Sequence, residues 1–286
     1  MVKAYDVLFS LGDTSLVRCA RPHLLLVQTP YLAYEPGELD FAISPRFRAR
    51  NELLARYFNA GRDSVSIFTV QTHSMQHRLA RRWSIPMARI RVVPSAISVS
   101  PREGRSNDRH YLAYVSTASP HKNHAFLADV MAELRTRGID HPLRLTVAAH
   151  DVPELVSRAA RLRVTSQIEL LGNIPHAAAV DLLAGASAVV IPSKLETFGL
   201  TYYEAMAQGV PVVVADRDFA REACGDVGLY GDPSDPGNFA DRIVEAIDRR
   251  EVLGRRAQAR AAEHRVEWDE VARLYLDILG EVFGAA

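Results

Sequence analysis

Between residues 111 and 249, short apolar runs alternate with longer stretches of helical period. This alternation limits the fold more than any other feature of the chain. The runs at 111–116, 142–149, 167–171, 188–191, 210–215 and 227–230 are predicted strands. Helices are predicted at 123–137, 153–163, 177–184, 200–208 and 236–249. The near-continuous apolar runs at 5–10, 23–29 and 65–70, earlier in the chain, suit strands covered on both faces, as in a parallel sheet. Strand and helix in repeated succession predict a doubly wound α/β domain.

The first hundred residues are sparser. Apolar runs at 5–10, 23–29, 65–70 and 90–94 are predicted strands. Helices are predicted at 46–61, with Leu53, Leu54, Tyr57 and Phe58 as the apolar side and Gly61 as the C-cap, and at 74–83. Residues 100–109 are polar, hold Pro101 and Gly104 and show no period, which marks a linker. Residues 268–283 form a closing amphipathic helix, with Val271, Leu274, Tyr275, Ile278 and Leu279 on one side. The resulting division is 1–104, 105–266 and a closing helix at 267–286 that packs back toward the first domain.

Composition removes several classes of function. Apolar residues make up 48% and charged residues 24% of the 286, the balance of a globular protein, so disorder is not expected. No apolar run approaches the roughly 20 residues that span a bilayer, and the first residues lack the apolar core of a signal peptide. Two cysteines, Cys19 and Cys224, make no disulfide framework. A cytoplasmic location is the expectation. The net charge is zero, which argues against a nucleic-acid partner. The zero hides a split, however: residues 1–109 carry +7 and residues 110–286 carry −7. Lysine is scarce, at Lys3, Lys122 and Lys194 only, against 31 arginines.

The segment 191–213 is the densest in chemistry. It reads as a buried strand, a polar loop with Gly199, a short helix, and Gly209-Val210-Pro211 leading into another strand. Such a loop lies at the carboxyl end of a strand, where open α/β sheets bind ligands. Amides of Phe198, Gly199 and Leu200 at a helix start make an anion site, and Gly199 lets the backbone approach a ligand. Glu196 and Glu204 frame the loop. A carboxylate can grip vicinal hydroxyls with its two oxygens. An anion site between two such carboxylates suits a nucleotide sugar, with a diphosphate in the middle, ribose on one side and hexose on the other. The same spacing permits a plainer role. Ser193-x-x-Glu196 and Thr201-x-x-Glu204 both have the form of a capping box, in which a Glu serves helix amides.

A second polar segment, 116–124, follows the first strand of the second domain. Ser116, Thr117, Ser119, Lys122 and helix-start amides again suit phosphate, or else a simple N-cap beside an exposed lysine. His121 and His124 lie three apart, but a third ligand for a metal is not evident. P-loop, Gly-x-Gly-x-x-Gly, Gly-x-Ser-x-Gly and Cys-x-x-Cys patterns are all missing from the sequence.

The stretch Pro192-Ser193-x-x-Glu196-x-Phe198-Gly199-Leu200-x-x-x-Glu204-Ala205-Met206-Ala207-x-Gly209-x-Pro211-Val212 resembles the donor half of retaining glycosyltransferases of family 4 (group 1). Glu196 and Glu204 match that family's Glu-x7-Glu signature. Pro120-His121-Lys122-Asn123, Leu171-Gly172-Asn173-Ile174, the 222–230 stretch and the Trp268 helix agree as well, so the resemblance covers about residues 65–283. It implies a GT-B fold: two Rossmann-like doubly wound domains facing across a cleft, the N-terminal one here incomplete. It implies transfer of a hexose, with retention, from a UDP- or GDP-sugar to a hydroxyl acceptor, as in glycan, lipopolysaccharide or exopolysaccharide synthesis. On that resemblance Glu196 contacts the hexose and Glu204 the ribose. Lys122 and the 198–200 amides hold the diphosphate. Ser116 and Asn123 belong to the donor site, and the loop of Gly172, Asn173 and Ile174 receives the base. No metal or other cofactor is implied.

Three departures stand out. Ser116 occupies the place where many relatives carry an arginine. Val27-Gln28-Thr29 lacks the histidine that relatives often carry after an N-domain strand. No glycine-rich loop precedes the first strand, as if the chain entered its first domain halfway. That last point motivates an alternative class, a non-catalytic nucleotide-sugar-binding subunit or a chain that needs a protein partner to complete the domain. The basic first half, with Arg46, Arg48, Arg50, Arg56, Arg78, Arg81, Arg82, Arg89 and Arg91, admits peripheral contact with an anionic inner membrane face where lipid-linked acceptors reside. A solvated arginine-rich surface is the plainer reading.

Overall fold

The computed structural model describes residues 6–97 and 110–284. The expected linker at 100–109 lies outside the described residues. The chain divides into two compact units. The first comprises residues 1–96, 196–198 and 266–286, and the second residues 97–195 and 199–265.

The first unit holds a parallel sheet of β1 (Leu8–Ser10), β2 (His23–Leu26), β3 (Ile67–Val70) and β4 (Ile90–Val92), in that spatial order. Every residue of β2 and β3 is buried, which is why their runs are continuously apolar rather than alternating. Parallel neighbours need crossovers. α1 (Pro45–Gly61) and α2 (His73–Trp83) supply two of them, and Ser44 and Thr72 cap their first turns with side-chain oxygens. α10 (Trp268–Gly284) lays Val271, Ile278 and Val282 against Leu24, Ile67, Val93 and Ala96, with Leu274, Tyr275 and Leu279 packed beside them. Full burial of a valine, leucine or isoleucine in this cluster contributes about 1.5–3 kcal/mol by leaving water.

α1 differs from its expectation in two ways. Phe58 packs on Phe68 and Trp83, but Leu53 is 68% and Tyr57 44% exposed, so the apolar side is narrower than its sequence suggests. Gly61 is not a left-handed C-cap. Its φ is −102°, and the helix runs on into a single 3-10 turn at Arg62–Ser64. The glycine is needed for space: a Cβ there would stand 2.2 Å from Ser15 Oγ.

The second unit holds β5 (Leu112–Tyr114), β6 (Leu143–Leu145), β7 (Ile168–Leu170), β8 (Ala188–Ile191), β9 (Val212–Ala215) and β10 (Leu229–Gly231). All pair in parallel, in the order β10-β9-β8-β5-β6-β7. The helices are α3 (Phe126–Thr136), α4 (Pro153–Leu162), α5 (His176–Ala184), α6 (Leu200–Ala207), α7 (Asp218–Cys224), α8 (Pro236–Asp248) and α9 (Arg250–Glu263). α7 and α9 are additions to the predicted elements. α9 buries only Leu253, Gly254, Ala257 and Ala261, a stripe too small and too arginine-flanked to read as an apolar face. Gly254 lets α9 close on the end of α6, since a Cβ there would lie 2.3 Å from the Gly209 carbonyl oxygen.

The strand order carries the functional consequence. From β5 the chain moves outward to β6 and β7, then returns to the other side of β5 as β8. The order therefore reverses between β5 and β8, and the crevice outside their carboxyl ends is where such sheets bind ligands. The segments that leave those two ends are 115–124 and 192–199.

Candidate functional site

Tyr114, the last residue of β5, is fully buried and fastens both segments. Its hydroxyl donates to the Lys122 carbonyl at 3.2 Å, and Ser193 Oγ lies 2.7 Å from the same oxygen. A phenol has one proton, so Ser193 is the donor in the second bond. The Lys194 amide donates to the His121 carbonyl at 2.8 Å, and Thr201 Oγ1 donates to the Val115 carbonyl at 3.3 Å. The two lysine-bearing loops are thus held side by side at the switch point.

Two expected donor-site residues also have internal partners. Ser116 Oγ lies 2.9 Å from His124 Nε2, and its amide donates to Thr146 Oγ1 at 3.0 Å. Asn123 takes a left-handed conformation, φ 58°, and donates its side-chain amide to the Pro233 carbonyl at 3.0 Å. That turn ends a short 3-10 segment at Pro120–Lys122, so α3 begins at Phe126 rather than at residue 123. The groups offered here are consequently loop groups, not the first turn of a long helix. The Asp232 carboxyl sits below its usual range chiefly because Ser234 donates to it, with the charges of Arg217 and Lys194 adding to the effect.

Burial holds His124 neutral. Its pKa is lowered from 6.5 to about 4, first by desolvation and then by the nearby charges of Lys122 and His121. Between pH 6.5 and about 4 the unfolded chain takes up a proton that the folded site refuses. Stability therefore falls through that window as pH drops, by on the order of 3 kcal/mol, and levels off below it. His124→Gln keeps a polar partner for Ser116 without the titration. Melting curves at pH 7 and pH 4.5 are expected to show a smaller acid loss for the variant. An equal loss in both proteins means that His124 is not its source.

Gly199 initiates α6 in the left-handed region, at φ 73°. A Cβ there would lie 2.2 and 2.4 Å from the Tyr202 ring. α6 itself is buried from Tyr202 through Ala207, and it ends in a Schellman turn. Gly209, at φ 62°, donates to the Met206 carbonyl, and Val210 donates to the Ala205 carbonyl. Phe198 is buried and Leu200 40% exposed at the head of the helix.

The capping-box alternatives do not hold. Thr201 lies inside the helix with its hydroxyl on Val115, and Ser193 gives its hydroxyl to Tyr114 in a segment with no helix. Neither arrangement is a box. Glu196, half-buried, lies in the loop between β8 and α6. Glu204 is buried, and its Oε1 lies 2.8 Å from His176 Nε2. His176 is the first residue of α5, directly after the loop of Gly172, Asn173 and Ile174 that leaves β7. Sequence reasoning missed it, because a lone histidine 28 residues before Glu204 carries no local signal. Gly172 turns that loop at φ 70°, with no atom within 4 Å of where a Cβ would be.

The basic half is largely engaged in its own unit. Arg78 and Arg81 pair with Glu38. Arg82 donates to the Tyr31 and Tyr34 carbonyls, Arg89 to the Val65 carbonyl, and Arg91 pairs with Glu281. Among the described residues no helix is long and apolar enough to cross a membrane, and no three His, Cys, Asp or Glu side chains cluster as a metal site.

The chain is 29% identical to a glycogen synthase of Mycobacterium tuberculosis over 228 residues, 74% of this chain and 53% of that protein. It spans about half the length of the curated relatives it matches. Among solved structures, sucrose-phosphate synthase from Thermosynechococcus elongatus superposes with a TM-score of 0.78 at 18% identity, covering 99% of this chain and 75% of that one. Anabaena HepE in complex with UDP and glucose does so at 0.71 and 19%, covering 91% and 72%. These likenesses show the fold, an α/β architecture of the GT-B type. The sequence profile of the glycosyl transferases group 1 matches residues 98–265, well over half of the chain, from before β5 to the end of α9. The chain belongs to the glycosyl transferases group 1 family.

Proposed function

We propose that this chain is a retaining, family 4-type glycosyltransferase that moves a hexose from a UDP- or GDP-sugar to a hydroxyl acceptor. The observation that carries this reading is the pair of lysine-bearing loops fastened through Tyr114 at the β5/β8 switch point, with Glu196 and Glu204 on the second loop and its helix. In the reaction the bond between the anomeric carbon and the diphosphate oxygen breaks, the acceptor oxygen takes its place, and the proton of the acceptor hydroxyl leaves with the diphosphate. Negative charge collects on the departing diphosphate. Lys122 and the amides at the start of α6 would meet that charge with fixed electrostatics, so the proposal requires no metal. Glu196 would face the hexose, Glu204 the ribose, and the 172–174 loop the base. Ser116 would take the place of a second cation without supplying its charge. The UDP and glucose held by HepE, a protein of like fold, favour this donor class.

The test is a thermal-shift and calorimetry series with UDP, GDP and their hexose conjugates. A ligand at a hundred times its Kd stabilises by about 2.7 kcal/mol, a clear rise in Tm. No shift with any member removes the donor reading. Binding without hydrolysis or transfer across a panel of sugar, lipid-linked and small hydroxyl acceptors moves the chain to the alternative class, a nucleotide-sugar-binding subunit that acts with a partner.

A further inference from the structure

We infer that His176 is a latch on the nucleoside site: in the ligand-free protein its imidazole occupies Glu204 Oε1, and the ribose displaces it. The inference rests on the reading of Glu204 as the ribose-gripping carboxylate and adds a group that the reading does not contain.

The argument starts from an asymmetry. The Glu204 side chain is 6% exposed and the His176 side chain 71%. The ring that hydrogen-bonds the buried carboxylate is therefore itself mostly in water, and it stands on the solvent side of that carboxylate. An ionised carboxylate only accepts, so His176 Nε2 donates, as a ribose hydroxyl would. Gripping two vicinal hydroxyls calls on both carboxylate oxygens, and one is already engaged at 2.8 Å. Release of the ring costs little, because an exposed imidazole regains hydration when it leaves. The backbone that carries it is also open. Asn173 and Pro175 are exposed, and no atom lies within 4 Å of the place a Cβ on Gly172 would take. A swing of this loop would free Glu204 and shift the segment expected to meet the base in one movement, coupling base recognition to ribose recognition.

A latched site binds with its intrinsic affinity reduced by the fraction of molecules that are unlatched. Calorimetry on the full chain with UDP, GDP and inorganic pyrophosphate therefore tests the inference. His176→Ala is expected to tighten binding of the preferred nucleoside diphosphate about fivefold and to leave pyrophosphate, which lacks ribose, unchanged. In a Glu204→Ala background the same substitution should give no gain, since the two residues act as one unit. Unchanged or weaker nucleotide binding by His176→Ala, with the parent chain binding normally, overturns the latch and leaves the donor reading standing. Equal tightening toward pyrophosphate also overturns it, because the effect then bypasses the ribose carboxylate. If the parent binds no nucleoside diphosphate at all, the donor reading itself falls and takes the latch with it.

Discussion

Gly199→Ala is expected to lower the melting temperature by about 5–15 °C. Two costs combine. The residue sits at φ 73°, where an L side chain costs roughly 1–2 kcal/mol. Its Cβ would also lie 2.2 and 2.4 Å from the Tyr202 ring. Tyr202 is fully buried and cannot swing aside into solvent, so the clash must be relieved by moving α6, at an overpacking cost of about 1–3 kcal/mol. Each kcal/mol is worth about 2–4 °C in a domain of this size. Gly172→Ala is the internal control. It has the same sign of φ, 70°, but open space where the Cβ would go, so it should lose only the backbone contribution. Differential scanning calorimetry of both variants separates the two costs. Equal losses would show that contact with Tyr202 adds nothing.

The same glycine shows where sequence reasoning reaches and where it stops. A glycine between a polar loop and a short apolar helix reads as a place where the backbone can approach a ligand. That a side chain there would meet the ring of Tyr202, three residues on, is settled only by the fold. Strands such as β2, β3 and β8 were legible because parallel strands are buried on both faces and so need no alternation. The order that brings β8 back beside β5 was not, since it depends on tertiary packing rather than on any local pattern. The capping-box alternative for Glu204 failed for a similar reason. A box needs the helix to start at Thr201, and the left-handed Gly199 starts it earlier. Tyr114 reads in the sequence as the end of a strand, and only the structure shows its hydroxyl fastening two loops that lie 71 residues apart at Lys122 and Ser193. α9 was missed because its buried stripe consists of a leucine, a glycine and two alanines, too little apolar mass to stand out from its arginines.

Lys122→Ala is expected to reduce turnover of the preferred nucleotide sugar by about 10²–10³-fold, the range for deleting one fixed electrostatic donor from a site where charge develops. The fold should survive, because the bond that fastens this loop uses the Lys122 backbone carbonyl, which the substitution keeps. Charge on the diphosphate grows as the sugar departs, so an interaction with it strengthens in the transition state. kcat should consequently fall more than KM rises. Lys194→Ala is the comparison: the charge of this lysine already acts on the Asp232 carboxylate, so its removal should cost less. Kinetics and melting curves of both variants check the expectation. Full turnover by Lys122→Ala at an unchanged Tm would remove Lys122 from the chemistry. Residues 110–286 carry a net charge of −7, so the overall field of this part of the chain repels a dianionic diphosphate. Attraction must then come from groups at contact distance, among them Lys122 on the loop that leaves β5. Ser116, hydrogen-bonded to a histidine that burial keeps neutral, adds no positive charge beside it. The share of the load that falls on Lys122 is correspondingly larger, which sets the expected loss toward the upper end of its range.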